Sequence, residues 1–143
     1  MFNRILVLCT GNICRSPVAE AMLQAGLPGK KVESAGLGAL VDHPADSIAQ
    51  ELATQAGLDI GQHRARQATT EMFRRADLIL VMSWGQKAQV TELDPSSNGK
   101  TLLISRWLDD QPDIPDPYKK SREAFVHVHK RLEEAVYAWL LRL

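Results

Sequence analysis

The sequence has little of what several common functions require. Only two cysteines occur, Cys9 and Cys14, and they lie five positions apart. A disulfide between them would close a tiny loop and add little stability. Positive charge is not in excess, because 17 lysines and arginines are balanced by 17 aspartates and glutamates. That balance argues against a nucleic-acid binder working through bulk charge. No apolar run is long enough to cross a membrane. The opening stretch Met1–Leu8 is too short and too soon interrupted for a signal peptide. Internal repeats, linkers and low-complexity segments are also missing. The expectation is a cytoplasmic protein with no membrane insertion. In a reducing compartment, two cysteines in one short segment read as catalytic or redox-active.

What is present suits one compact domain spanning residues 1–143, long enough to bury a core without staples. Residues 4–8 form an apolar run that predicts a strand buried on both faces. Residues 17–26 predict a helix, with Pro17 in its first turn and Gly26 at its end. Its buried face is expected at Val18, Met22 and Ala25. Further strands are expected at 31–34, 77–82 and 101–104. Helices are expected at 45–56, 68–75 and 84–93, with Thr69 or Thr70 capping the middle one. Residues 94–99 read as a loop. Pro112, Pro115 and Pro117 make 106–118 a long structured loop. From about Ser121 a last helix carries a buried stripe of Phe125, Val128, Leu132, Ala135, Trp139 and Leu143. Strands alternating with helices imply an α/β fold: a four-stranded, parallel, twisted sheet with helices on both faces. Active sites in such folds lie at the carboxyl ends of the strands.

At that position, after the first strand, stands Cys9-Thr10-Gly11-Asn12-Ile13-Cys14-Arg15-Ser16-Pro17. Successive backbone N–H groups around a loop can cradle an oxyanion. The N-terminus of the helix that follows adds partial positive charge. Arg15 offers a planar fork for two phosphate oxygens, and Gly11 lets the backbone turn tightly. The same positive field favours the thiolate form of Cys9, which is the nucleophilic form. A cysteine followed six positions later by arginine is a loose pattern by itself, and buried inert cysteines are common. The order strand, Gly-containing loop, Arg-Ser-Pro, helix is what gives it meaning. The Gly-Lys-Ser/Thr ending of a nucleotide-binding loop is absent. A phosphate ester also needs its leaving group protonated. The candidate is Asp116, fixed between Pro115 and Pro117, although a plain Pro-rich surface loop would read the same.

Val7–Pro17 closely resembles the phosphate loop of low-molecular-weight protein tyrosine phosphatases, and Asp116-Pro117-Tyr118 resembles that family's general-acid motif. Glu33–Gly36 and His63–Gln67 match further family segments, so the resemblance covers nearly the whole chain. Val32–Val41 and Ile114–Phe125 are most similar to bacterial enzymes of exopolysaccharide or capsule export, which act on tyrosine autokinases. The resemblance implies Cys9 as nucleophile, Arg15 as phosphate clamp and Asp116 as general acid, then base. It implies that Ser16 hydrogen-bonds the Cys9 sulfur, and that Asn12, Ser34 and His63 hold the loop in shape, with Thr10, Gly11, Ile13 and Cys14 around the phosphate. Leu40 and Tyr118 should wall the cleft for the aromatic ring. Animal members often carry larger aromatics near the Leu40 position and after Tyr118, where this chain has Lys119. Many members carry an acid where Ser83 stands.

The expected partner is a phosphotyrosine protein, such as an autokinase tail, met by a monomer that needs no cofactor or metal. Arsenate reduction in similar folds relays oxidation through later cysteines, and none follows Cys14. Phosphoarginine phosphatases tend to carry threonine at the Ile13 position. A non-catalytic phosphotyrosine reader, or a redox sensor on Cys9 and Cys14, would have no need of Asp116. His127 and His129, at i and i+2 of the last helix, do not share a face and read as surface or packing residues. His43 reads as solvated, and Trp84, Trp107 and Trp139 as packing residues. The run Lys119–Arg122 reads as a solvated helix start, or as an attractor of acidic phosphopeptides.

Overall fold

Apolar side chains alternate between two cores along each central strand, and this alternation sets the architecture. The structure, a computed structural model, describes residues 2–143. Strand β1 (Arg4–Cys9) sends Ile5, Val7 and Cys9 to one face and Leu6 and Leu8 to the other. Strand β3 (Leu78–Val81) divides likewise, with Leu78 and Leu80 opposite Ile79 and Val81. Successive residues of a strand point to opposite faces, so continuous apolar runs need cover on both sides. Completely burying one such side chain contributes roughly 1.5–3 kcal/mol.

That cover comes from five helices: α1 (Arg15–Gly26), α2 (Ser47–Gln55), α3 (Thr70–Arg75), α4 (Trp84–Leu93) and α5 (Arg122–Leu140). The first face packs on α1, α2 and α5; the second packs on Phe73 of α3 and Val90 of α4. With β2 (Lys31–Gly36) and β4 (Thr101–Leu103), the sheet is four-stranded and all parallel, in the order β2-β1-β3-β4. From β1 the chain first steps to one side and later to the other. The carboxyl end of β1 is therefore the switch point where such sheets open a crevice.

The expected elements are all present, with shifted limits. Strand β2 runs on to Gly36. Asp77 lies just before β3, with its amide donating to the Arg4 carbonyl at 2.8 Å and its carboxylate accepting the amides of Asn3 and Arg4. Helix α3 starts at Thr70, with Thr69 as its cap. Residues Pro95–Lys100 form a 3-10 turn rather than an irregular loop. In α1 the buried face is Val18, Ala19 and Leu23, whereas Met22 is half-buried and Ala25 exposed. The helix is rotated from the expected face because Gly26 meets α5: a Cβ there would lie 2.7 Å from the Leu140 methyls. The stripe of α5 is buried as expected through Trp139, while Leu143 lies beyond the helix end and is half-buried. Trp139 donates to the Ile104 carbonyl and meets Trp107 edge-on. Trp84 does not pack in a core; it is exposed. Among the described residues no helix is long and apolar enough to cross a membrane.

Candidate active site

The loop Cys9–Cys14 is turned so that its carbonyls are held from outside. The Cys9 carbonyl accepts from the Leu37 amide, Thr10 from Gly38, Gly11 from Leu40 and Ile13 from Asp46, all between 2.9 and 3.1 Å. The Asn12 carbonyl accepts from His63 Nε2 at 2.6 Å, which places the ring proton on that nitrogen. In a trans peptide the N–H points opposite to the preceding carbonyl, and no peptide here is cis. The N–H groups after these carbonyls therefore turn toward the hollow, where Asn12 N–H already donates to Cys9 Sγ at 3.3 Å. Helix α1 begins directly after this ring, with Cys14 at its cap position. The result is a cup of positive potential around one sulfur.

A buried chain of side chains fixes the shape of the cup. Asn12 is completely buried, in the left-handed region at φ 59°, a conformation that asparagine tolerates better than most residues. Its Oδ1 accepts from the Arg66 amide at 3.0 Å, which sets the orientation of the amide group. Its Nδ2 donates to Ser16 Oγ at 2.7 Å and to Ser34 Oγ at 3.0 Å. Ser16 Oγ then lies 2.9 Å from Cys9 Sγ. Cys14 is also buried, and neither cysteine is in a disulfide. Burial, helped by Asp46, pushes the Cys14 thiol up, so it is a neutral lining group.

Arg15 is 4 % exposed. Its Nη1 donates to the Ile114 carbonyl at 2.7 Å and its Nη2 reaches Thr10 Oγ1 at 3.4 Å. Nε is buried and has no partner among the described residues. An unsatisfied buried donor costs about 1–3 kcal/mol, which an anion in the cup would offset. Asp116 stands at the mouth, its Oδ2 3.7 Å from Arg15 Nη2 and its Oδ1 accepting the Tyr118 amide at 3.1 Å. Leu40 and Tyr118 flank the opening, and the whole cleft encloses about 220 Å³. The structure thus brings together Cys9, Arg15, Asp116, the loop residues between them, Leu40 and Tyr118 from three separate parts of the chain. His43 and His127 are exposed and His129 is half-buried, and all three lie outside this cleft.

A family model described as low molecular weight phosphotyrosine protein phosphatase matches residues 4–143. The chain belongs to that family. Among its relatives, the low molecular weight protein-tyrosine-phosphatase Etp of Escherichia coli K12 is 51% identical over 142 residues, covering 99% of this chain and 95% of its own. The tyrosine phosphatase Wzb of Escherichia coli K30, solved with sulphate, superimposes with a TM-score of 0.96 at 47% identity, covering 99% of each chain. Wzb of Vibrio vulnificus, solved with benzylphosphonate, gives a TM-score of 0.96 at 45% identity over the full length of both.

Three further residues of this phosphatase support the cup and escape sequence reasoning. Glu20, one turn along α1, accepts the Ser34 hydroxyl proton and so anchors the far end of the Asn12 chain. Burial pushes the Glu20 carboxyl above the usual carboxylate range, while Ser34, His63 and Arg66 pull it back. Arg66 holds the Ser34 carbonyl through Nε at 3.0 Å and Glu33 through Nη2 at 2.6 Å. Gln86 of α4 accepts the Met82 amide and donates to Thr10 Oγ1 at 3.2 Å. Ser83, where many members carry an acid, caps α4 by accepting the Gln86 amide at 3.1 Å. Nothing in their residue types marks these positions; only the fold brings them to the loop.

Gly36 marks a close approach of backbones. A Cβ there would sit 2.5 Å from the Thr10 carbonyl oxygen, which is itself a fixed part of the cup. Gly36→Ala should therefore push β2 and the loop apart, costing about 1–3 kcal/mol of stability. It should also weaken binding of inorganic phosphate more than Gly29→Ala does, since a Cβ at Gly29 meets nothing. Thermal melts and phosphate titration of the two variants check this. Equal phosphate affinity in both would show that the loop does not depend on this contact.

Proposed function

We propose that this protein hydrolyses phosphotyrosine in proteins through a phosphocysteine intermediate. The observation that carries the reading is the ring of carbonyls tied outward around Cys9, with Arg15 inside and Asp116 across the mouth. In the first step Cys9 thiolate attacks phosphorus in line. The P–O bond to the phenol breaks, and Asp116 gives its proton to the departing oxygen. The loop amides and Arg15 hold the equatorial oxygens, where charge is concentrated in the transition state. In the second step Asp116 takes a proton from water, the water oxygen attacks phosphorus, and the S–P bond breaks. Ser16, already accepting from Asn12, directs its own hydroxyl proton to the departing Cys9 thiolate. Sulphate and benzylphosphonate in the related Wzb structures support an anion in the cup and an aryl group at its mouth.

The fitting substrate holds phosphate away from the peptide backbone at the length of a phenyl ring. Phosphoserine and phosphothreonine hold theirs several ångströms closer, so the walls at Leu40 and Tyr118 would meet the peptide before phosphorus reached Cys9. These walls also reward burial of an aromatic ring. Phosphotyrosine should exceed phosphoserine greatly in kcat/KM on peptides of matched sequence, measured by phosphate release at mildly acidic pH with a chelator present. Tyr118→Ala should reduce that preference chiefly through KM, because ring contacts exist before and during the reaction. Comparable kcat/KM for both peptides would refute the depth argument. By family resemblance, the natural partner is a tyrosine-rich tail of a bacterial autokinase of exopolysaccharide export, dephosphorylated in the cytoplasm by the monomer. Failure on every autokinase tail, with good activity on other phosphotyrosine proteins, would refute that partner alone.

A further inference from the structure

The rim of the cleft carries one residue that the mechanism leaves unused and whose backbone is out of the ordinary. Lys119 follows Tyr118 and lies at φ 62°, in the left-handed region. That conformation, which costs lysine on the order of 1 kcal/mol and which glycine would adopt freely, belongs to the third position of a turn in which the Lys120 amide donates to the Pro117 carbonyl at 2.9 Å. Here it turns the side chain back over its neighbour, with Nζ 5.4 Å from the centre of the Tyr118 ring. Tyr118 is itself a wall of the cleft, whereas Lys119 does not line it. The ammonium therefore sits against the Tyr118 wall without entering the cleft itself, at the rim.

The charge at this position is free to act on a ligand. Among the described residues Lys119 and Lys120 form no ion pair, while Arg122, the next cation, is held by both carboxylate oxygens of Glu51 at 2.8 and 3.0 Å. Asp116 is oriented toward Arg15 and the Tyr118 amide. The ring beneath Lys119 contributes a cation–π attraction worth about 0.5–1 kcal/mol at an exposed site. That attraction restrains a long side chain which would otherwise lose more entropy on pairing with a ligand.

We infer that Lys119 is a specificity-determining residue that selects phosphotyrosine flanked by an acidic group, either a carboxylate or a second phosphate, within a residue or two. The inference rests on the phosphotyrosine reading of the same cleft. An exposed ion pair changes affinity by only a few fold, whereas a second phosphate, with charge near −2, is held more strongly. A segment bearing several phosphotyrosines would then lose its phosphates unevenly, fastest while neighbours are still phosphorylated and slowest at the last one.

The test measures kcat/KM on three phosphotyrosine peptides that differ only in the flanking residue, which is Glu, Gln or a second phosphotyrosine. Enzymes are the wild type, Lys119→Gln, Lys119→Gly (which also relieves the backbone) and Lys120→Gln. For the wild type at low salt, the Glu peptide should exceed the Gln peptide by about two- to fivefold, and the doubly phosphorylated peptide by about tenfold. In each Lys119 variant and, for the wild type, in about 1 M salt, where screening shortens to about 3 Å, the Glu ratio should fall toward one and the doubly phosphorylated ratio toward about two, since that peptide offers two sites. Lys120→Gln should keep most of the preference. Hydrolysis of p-nitrophenyl phosphate, which has no flanking chain, should stay within about twofold in all four enzymes. A preference that survives both Lys119 variants beyond these limits, or that is absent from the wild type, overturns the inference while leaving phosphotyrosine hydrolysis intact. A wild type inactive on every phosphotyrosine peptide would instead overturn the underlying reading, and the inference with it.

Discussion

Cys9→Ser should abolish turnover while leaving the anion site in place. The cup is made by carbonyls of residues 9–13 held by Leu37, Gly38, Leu40, Asp46 and His63, and none of these bonds involves the sulfur. A serine hydroxyl at this site lacks a base beside it. Its neighbours are the Asn12 amide, which donates, and Ser16, which the Asn12 side chain already engages. The variant should therefore form no acid-stable phosphoenzyme when quenched in mid-reaction with labelled phosphopeptide. It should still bind inorganic phosphate by calorimetry with an affinity of the same order as the wild type. Substantial turnover by this variant would remove Cys9 from the nucleophile's role, and with it the two-step mechanism.

Asp116→Ala should slow phosphotyrosine hydrolysis by about 10²–10⁴-fold, the usual contribution of a general acid. The loss should shrink for aryl phosphates whose leaving groups need no proton, so a plot of rate against leaving-group pKa should steepen in the variant. The side chain has a second use, because Oδ1 accepts the Tyr118 amide and shapes the loop. Asp116→Asn separates the two, since its amide oxygen can keep that bond but the group cannot deliver a carboxylic proton. Equal losses for Asn and Ala would assign the effect to proton transfer. Recovery by Asn, or a loss uniform across leaving groups, would assign it to loop shape instead.

Local signals were legible and distributed ones were not. The cup arises within one segment whose residue types each have a reason, so the order strand, Gly-containing loop, Arg-Ser-Pro, helix marks Cys9 and Arg15, although α1 starts at Arg15, two residues before the expected limit. Asp116 was marked by its flanking prolines and by resemblance. Apart from the His63 ring, the braces that turn the carbonyls outward are the backbone amides of Leu37, Gly38, Leu40 and Asp46, a donor that every residue type but proline possesses, so no side-chain pattern could announce them. Glu20 reads as an ordinary helical surface acid until Ser34 of β2 is set beside it. The buried face of α1 departs from the expected helical spacing for a similar reason, with Ala25 exposed although Val18 is buried and Met22 packs at the core's edge. Val18, Met22 and Ala25 fit helical spacing, but the close approach of Leu140 to Gly26 turns Ala19 and Leu23 inward. Tertiary packing, absent from a one-dimensional pattern, chose between two faces of similar polarity.

The bond from Arg15 to the Ile114 carbonyl joins residues 99 positions apart. Such contacts form late, because a long loop must close before the bond rewards it. Strands β1 to β3 can pair, and the Cys9 loop can take shape against Leu37–Asp46, while the last thirty or so residues are still unplaced. Arg15 would then lack its carbonyl anchor, and Asp116 would be elsewhere. A chain whose last thirty or so residues are not yet docked should therefore be able to form its nucleophile loop without being a competent enzyme. In refolding, recovery of activity should lag behind recovery of sheet structure and follow the docking of α5, whose Phe125 and Trp139 close the core beneath that loop.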